Sequence, residues 1–203
     1  RTLQTKAKDT YNGTVKELLN AISWATLYPT DRIVKSTTED DWKKHIDWTA
    51  YRNGNKHGIT WDTKKRRFED YGNGLEPDDN FVAEIENRNS QGKTKTGSIY
   101  GKQKYMSFEI TGYFVYILTK EIREFVEDWV LAFPVHAQTM DAVFEGIYTF
   151  DDGAKITGLA FSKFPNKHLL PIPKEFHARQ FQNIYSEQEL REYIIRNNLN
   201  IQL

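Results

Sequence analysis

The spacing of apolar residues predicts a helix near each end of the chain. Apolar residues recur every three or four positions over 14–28, and the run ends before a proline. Thr14 and Glu17 have the spacing of a capping box at the start of this helix. The last helix is predicted to begin at Ser186, where Glu189 completes a second capping box.

Between these two helices the apolar pattern predicts mainly strands. The runs cover 46–51, 59–64, 81–88, 105–110 and 113–118. Thr119 is predicted to cap a further helix with one apolar face, a β-hairpin is expected around 151–153, and 169–173 is expected to be irregular. We therefore expect an α+β fold in one domain over 1–203, with a central mixed β-sheet flanked by helices.

Composition narrows the class of protein without naming a partner. The 203 residues carry 28 basic and 28 acidic side chains, so the formal net charge of zero gives no sign of a polyanionic ligand. The chain contains no cysteine, which excludes disulfides and thiolate metal sites and fits a reducing cytoplasm. No apolar run approaches about 18 residues, so we expect no membrane span and a cytoplasmic protein.

The first two predicted strands place candidate chemistry on one sheet face. If the turn between them has four residues, Asp47 lies opposite Asp62, and Lys64 shares the face of Asp62. Trp48 and Trp61 then point to the other face. Two opposed carboxylates repel each other, and a divalent cation would remove that cost. The alternative is a surface hairpin that carries Asp, Asp and Lys by chance.

This order of residues resembles the core of the PD-(D/E)XK nuclease superfamily, and its phage-encoded members in particular. Residues 39–48, Glu-Asp-Asp-Trp-Lys-Lys-His-Ile-Asp-Trp, resemble the segment that leads into the family's first metal-binding aspartate. Residues 61–64, Trp-Asp-Thr-Lys, resemble its Asp-x-Lys strand, and 83–87 with 97–102 resemble the next strand and turn. One departure is Ile46, which stands where the family motif begins with proline.

The resemblance implies a restriction-endonuclease-like core over about 14–130, with a C-terminal extension over 131–203 that adds a β-hairpin and a helix. It implies that Asp47 and Asp62 bind Mg²⁺ or Mn²⁺, and that Lys64 is the catalytic lysine that activates or orients water. The substrate implied is DNA, single- or double-stranded, cut at its phosphodiester bonds.

Three glutamates are candidates for accessory roles, and a neighbouring histidine is not. By the resemblance, Glu17 stands where many members carry an accessory glutamate, and the capping box is the alternative. Glu84 and Glu86 share one strand face, so one of them could add a ligand or position a water, and a solvent-facing strand is the alternative. His45 is expected to point away from Asp47 and to be structural.

Two basic runs and two tyrosines are candidates for contact with nucleic acid. The basic residues are Lys65, Arg66, Arg67, Lys93, Lys95, Lys102 and Lys104. If both runs flank the metal face they form a phosphate-binding rim, whereas the alternative for each is a solvated surface. Tyr100 and Tyr105 could stack on bases, with packing as the alternative.

A second function remains open at this point. The chain could be an inactive descendant of a nuclease that binds nucleic acid or inhibits a host protein, and zero net charge favours this slightly. The intact set of Asp47, Asp62 and Lys64 favours an active deoxyribonuclease. A protein partner is also open, and the sequence leaves the oligomeric state undecided.

Overall fold

The computed structural model describes residues 3–53, 55–64, 78–88, 92–139, 143–180 and 185–203. Within these residues the α-helices are α1 (Leu3–Leu27), α2 (Thr38–Lys44), α3 (Thr119–Phe125) and α4 (Glu187–Arg196). The strands are β1 (Arg32–Lys35), β2 (Trp48–Tyr51), β3 (Ile59–Lys64), β4 (Asn80–Arg88), β5 (Thr94–Thr96), β6 (Tyr105–Ile110), β7 (Tyr113–Leu118), β8 (Tyr148–Thr149), β9 (Lys155–Ala160), β10 (His168–Pro171) and β11 (Ile201–Gln202). A π-helical segment, Val126–Leu131, continues α3.

The strands form two sheets. The larger one has seven strands in the order β10-β7-β6-β3-β2-β1-β11, and it is mixed because β3 pairs with β6, and β1 with β11, in parallel. The smaller one has the order β5-β4-β9-β8 and is antiparallel. The expected α+β class with a large mixed sheet and flanking helices is confirmed. The expectation of one sheet is wrong, because β4 pairs with β9 in the second sheet.

The seven-stranded sheet has an apolar core on each face. Alternate residues of β7 enter different clusters, since Phe114 and Tyr116 pack with α1 and α4, whereas Val115 and Ile117 pack with α3. Successive side chains of a strand point to opposite faces, so the two clusters lie on opposite sides of the sheet. Phe81 of β4 belongs to the second cluster, so the small sheet packs on the α3 side.

The first helix is longer than its apolar pattern predicted. α1 begins at Leu3 rather than near 14, so Thr14 lies inside the helix and cannot cap it. The capping-box interpretation of Glu17 is therefore wrong, because this residue lies in the interior of α1.

Two other expectations at element ends had different outcomes. Ser186 caps α4 as predicted, with its hydroxyl accepting a hydrogen bond of 3.0 Å from the Glu189 N–H. Thr119 is the first residue of α3 rather than its cap, and the capping position is held by Leu118 without a side-chain hydrogen bond. Three of the four residues of β10 lie in the stretch 169–173 that was expected to be irregular, and β10 pairs with β7.

A fully buried amide ties α1 to the centre of the large sheet. The Asn20 Nδ2 donates to Thr63 Oγ1 at 3.0 Å and to Ser107 Oγ at 2.8 Å. The Asn20 Oδ1 accepts a hydrogen bond from the Tyr116 hydroxyl. A buried amide with these partners fixes the height of the helix over β3, β6 and β7.

We expect Asn20→Leu to lower the free energy of unfolding by about 2–4 kcal/mol, because it leaves three buried hydroxyls without their amide partner. Urea titration followed by circular dichroism would measure the change. The control is Asn166→Ala, which removes an exposed amide near Glu121 and should change stability by less than about 0.5 kcal/mol. Equal stability of Asn20→Leu and the wild type would contradict the role given to this amide.

Candidate active site

The pairing of β2 with β3 has the register that the sequence predicted. Trp48 pairs with Trp61 and Thr49 with Thr60, so Asp47, one residue before β2, lies across from Asp62. The Asp47 N–H donates to the Trp61 carbonyl at 2.9 Å, so the chain stays attached to β3 at this point. Both tryptophans are buried in the cluster on the α1 side.

Asp62 and Lys64 form an ion pair on the face of β3 opposite Trp61. The Lys64 Nζ lies 2.7 Å from Asp62 Oδ2 and 3.7 Å from Glu84 Oε2. Burial lowers the pKa of Lys64, but the two carboxylates outweigh burial and hold this pKa above its usual value. In return, attraction to Lys64 is the main reason that the pKa of Glu84 lies below its usual value. Lys64 is therefore a protonated donor held between two strands.

Asp47 is a buried carboxylate with little to offset its charge. Its Oδ2 accepts a hydrogen bond of 2.5 Å from the Thr63 N–H, and the residue is only 6% exposed. Burial raises the pKa of Asp47 well above its usual value, and the charges of Asp62 and Glu17 raise it further. The charge of Asp47 is therefore costly at this position.

The three candidate accessory glutamates have different positions. The negative charge of Glu17, on α1, raises the pKa of Asp47. Glu84 contacts Lys64. Glu86 is engaged elsewhere, with Lys155 Nζ 2.9 Å from its Oε2. Of the two glutamates on β4, the structure brings only Glu84 to Lys64.

His45 lies closer to the candidate site than the sequence suggested. It ends α2 in a left-handed conformation with φ of 54°, which turns the chain before Asp47. Burial lowers the pKa of His45, and the positive charge of Lys64 lowers it further. Its Nε2 is buried and has no hydrogen-bond partner among the residues that the structure describes. Strand alternation does not continue through this turn, so it does not determine on which side of β2 the ring lies.

Sequence reasoning gave no role to Asp41, although it lies near the same charges. Asp41 is exposed on α2, and partial desolvation together with the charge of Asp62 raises its pKa. The available signal was the acidic run at 39–41 directly before the first strand of the hairpin.

Four of the seven basic residues expected to bind phosphate lie in the described part of the chain. Lys65, Arg66 and Arg67 lie outside the described residues. The positive charge of Lys95 lowers the pKa of His45. The Lys102 N–H donates a hydrogen bond to the Lys44 carbonyl at the end of α2. Exposed Lys104 is bonded through its N–H to Thr60 of β3, and exposed Lys93 precedes β5.

The two tyrosines proposed to stack on bases differ in environment. Tyr105 packs edge-on against Tyr116, with ring centroids 6.0 Å apart, and belongs to the core on the α1 side. Tyr100 lies half-buried at the end of a 3₁₀ turn, Ser98–Tyr100, beside the second sheet. Tyr105 is therefore a packing residue, whereas Tyr100 borders a cavity.

Asp47 and Asp62 are the residues that could hold a divalent cation. Carboxylate oxygens suit Mg²⁺ and Mn²⁺, and Mg²⁺ needs only one or two of them beside water and phosphate oxygens. Burial raises the pKa of Asp47, the charges of Asp62 and Glu17 raise it further, and a bound cation would offset both effects. Among the described residues no group of three or more His, Asp or Glu side chains is placed to hold a metal. A cation here would therefore share Asp62 with Lys64.

Comparison of the chain with protein-family models, with curated proteins and with solved structures found no match. No helix in the described part of the chain has the length and apolar character needed to cross a membrane. The functional argument therefore rests on the geometry of these side chains.

We expect Asp47→Asn to raise the free energy of unfolding at pH 7 by about 1–2 kcal/mol, because it removes a buried charge and keeps an oxygen for the Thr63 N–H. The folded-state pKa of Asp47 lies above the unfolded value of about 3.9. Below pH about 3.9 the side chain is neutral in both states and does not reduce the stability of the fold. As pH rises through the folded-state pKa, ionisation of Asp47 lowers the free energy of unfolding.

Denaturant titrations of Asp47→Asn and wild type between pH 3 and pH 8 would test this sign. The gap should be absent at the acid end and widen towards neutral pH. Asp151→Asn, in an exposed turn, is the control and should show no such gap. A variant less stable than wild type at neutral pH would contradict the assignment.

Proposed function

We propose that the protein is a divalent-metal-dependent nuclease that hydrolyses phosphodiester bonds in DNA. The supporting observation is the ion pair of 2.7 Å between Lys64 and Asp62, beside the buried carboxylate of Asp47. These are the three residues that resemble the Asp and Asp-x-Lys motif of the PD-(D/E)XK superfamily. We place its activity in the cytoplasm, for which a chain without cysteine is suited.

Asp47 and Asp62 would hold Mg²⁺ or Mn²⁺ in this proposal. A bound cation supplies Lewis acidity and lowers the pKa of a coordinated water. The contribution of Asp47 is a carboxylate oriented by the Thr63 N–H, and that of Asp62 is a second carboxylate across the strand pair. Glu17 adds negative charge that strengthens the attraction for a cation.

Lys64 acts in this proposal as a fixed, protonated donor. Because Asp62 and Glu84 keep its pKa above the usual value, the ammonium orients a water or a phosphate oxygen rather than removing a proton. A cation placed at the position where negative charge develops stabilises the transition state of phosphoryl transfer. Glu84 is a positioning residue that holds the ammonium from the second sheet.

The lysines near α2 and β3 provide the contacts for the DNA backbone. Lys102 and Lys104 are exposed and follow the turn that borders His45. Phosphate contacts of this kind fix the position of the strand without reading its sequence. Zero net charge implies that binding depends on this local surface and weakens as salt rises.

A second candidate is a nuclease-fold protein that binds nucleic acid, or inhibits a host protein, without cutting. The observation that favours it is that Lys64 already neutralises Asp62. In addition, the described part of the chain brings no three His, Asp or Glu side chains together to hold a metal. DNA binding that is indifferent to Mg²⁺ and survives Lys64→Ala, without cleavage, would favour this candidate.

We expect Lys64→Ala to reduce DNA cleavage by roughly 10²-fold or more, which is the typical loss when one charge-stabilising donor is removed. The measurement is hydrolysis of labelled single- and double-stranded DNA with Mg²⁺, Mn²⁺ or chelator. Lys43→Ala is the matched control, since this exposed lysine pairs with Glu39 on the surface of α2. Cleavage at the wild-type rate by Lys64→Ala would overturn the catalytic assignment.

Metal binding can be tested without activity. We expect Mg²⁺ or Mn²⁺ to raise the melting temperature of the wild type, because a ligand that binds only the folded state stabilises it by mass action. Asp62→Asn should lose most of this shift, whereas Asp151→Asn should keep it. An identical shift in wild type and Asp62→Asn would place the cation elsewhere.

A further inference from the structure

The π-helical segment turns a tryptophan out of the core. In a continuous α-helix the spacing of Ile122, Val126 and Trp129 would place all three on one apolar face. Hydrogen bonds of a π-helix join residues five apart instead of four, so each turn holds more residues and Val130, rather than Trp129, comes under Val126. Val126 and Val130 are accordingly buried, whereas Trp129 is 64% exposed. The distortion of the helix thus brings the largest apolar side chain of this segment to the surface.

Two further exposed apolar side chains follow Trp129 along the chain. Phe133, four residues on, is 70% exposed and Val135 is 65% exposed. The backbone that carries them is fixed at both ends, since Val130 is buried and the Val135 carbonyl accepts a hydrogen bond of 2.7 Å from the Ile147 N–H. Side chains on a fixed backbone lose less conformational entropy on binding. Large apolar residues exposed together in this way mark a surface to which another molecule binds.

An open cavity of about 400 Å³ adjoins this stretch of chain. Leu131 and His136 of the same stretch form part of its wall, and apolar or aromatic surface is added by Ile85, Tyr100 and Ile147. The volume is ample for one large apolar side chain of a partner. A pocket that takes such a side chain beside exposed aromatic residues is typical of the centre of a protein interface.

The exposed charge next to Trp129 is negative. Glu127 and Asp128 precede it and are exposed, and residues 124–135 include no lysine or arginine. The Tyr100 hydroxyl is hydrogen bonded to the Glu127 carboxylate, which places one of these acids beside the cavity. Negative charge repels nucleic acid and anionic lipid, and it attracts a cationic protein surface. The exposed apolar residues therefore fit a basic protein better than DNA or a membrane.

A second copy of this chain is a poor occupant of the same surface. In a twofold contact one patch meets itself, so Glu127 and Asp128 of one copy would lie near the same acids of the other. Like charges brought together at an interface oppose association. The occupant that fits is therefore a segment of a different protein, with cationic side chains next to an apolar one.

We propose that Trp129, Phe133 and Val135, together with the cavity beside them, form a docking surface for a basic segment of a partner protein. The segment places one apolar side chain in the cavity and packs against the two exposed aromatic residues, which are of the kind that contributes most to binding at interfaces. Its lysine or arginine side chains lie at Glu127 and Asp128. None of these residues belongs to the candidate active site, so the proposal does not rest on the proposed function.

The probe that tests this surface is a library of short random peptides displayed on phage and selected on the immobilised full chain. We expect the selected peptides to combine lysine or arginine with a large apolar residue. The labelled consensus peptide should bind at least about tenfold more weakly to the double variant Trp129→Ser with Phe133→Ser. Ile195→Ser, which removes an exposed apolar side chain from α4, is the matched control and should bind as wild type does.

Reversal of charge provides a second and independent variant. Asp128→Lys should weaken binding of the consensus peptide about tenfold, and it should bind more tightly than wild type a peptide in which glutamate replaces the basic residues. Glu192→Lys, on the exposed side of α4, is the control and should change the binding of neither peptide. Added salt should weaken the wild-type complex, since exposed charges are screened.

Selection of peptides without basic residues, selection of none, or equal binding by wild type and the double serine variant would overturn the proposal. Sedimentation of the wild type with phosphatidylserine vesicles, or a dimer that Trp129→Ser disrupts, would also overturn it, because a membrane or a second copy would then be the occupant. Melting curves establish that each variant is folded. A large loss of thermal stability in Trp129→Ser would show that this side chain packs in the core, and the docking surface would be withdrawn.

Discussion

The alternation of side chains along β3 is the constraint on which the candidate site depends. Trp61 stacks on Trp24 of α1, with ring centroids 4.8 Å apart, and this fixes which residues of β3 face the core. A slip of one residue would bury Asp62 in that core and place Trp61 among the carboxylates, so the register is strongly specified. Hydrophobic packing on one face of the strand thereby positions Asp62 and Lys64 on the other.

The charges on that second face are unbalanced, and the imbalance costs stability. Lys64 compensates Asp62 and Glu84, whereas Asp47 is buried with the Thr63 N–H as the donor to its carboxylate. A protein selected for stability alone would replace such a carboxylate with an amide. A buried carboxylate beside Asp62 is understandable where a ligand balances its charge, which is the physical argument for the proposed cation at this position.

Patterns within single strands were predictable from the sequence, whereas choices between distant partners were not. The bounds of β3, β6 and β7 and the register of the β2–β3 pair follow from alternation and loop length, and they bring Asp47 and Asp62 together. The placement of β4 follows from pairing with β9, far along the chain, and no local periodicity carries that information. The alternation on which the expectation for His45 rested does not reach this residue, because its left-handed backbone interrupts the extended conformation before Asp47.

The separation of β4 from the large sheet has a consequence for the site. In a single continuous sheet Glu84 would lie beside β3, but here it reaches Lys64 from a second layer, at 3.7 Å. Lys64 therefore lies where the two sheets meet, and its ammonium is held by one carboxylate from each. The register with β9 turns Glu86, two residues further along β4, to the opposite face of the small sheet, where it pairs with Lys155 instead of Lys64.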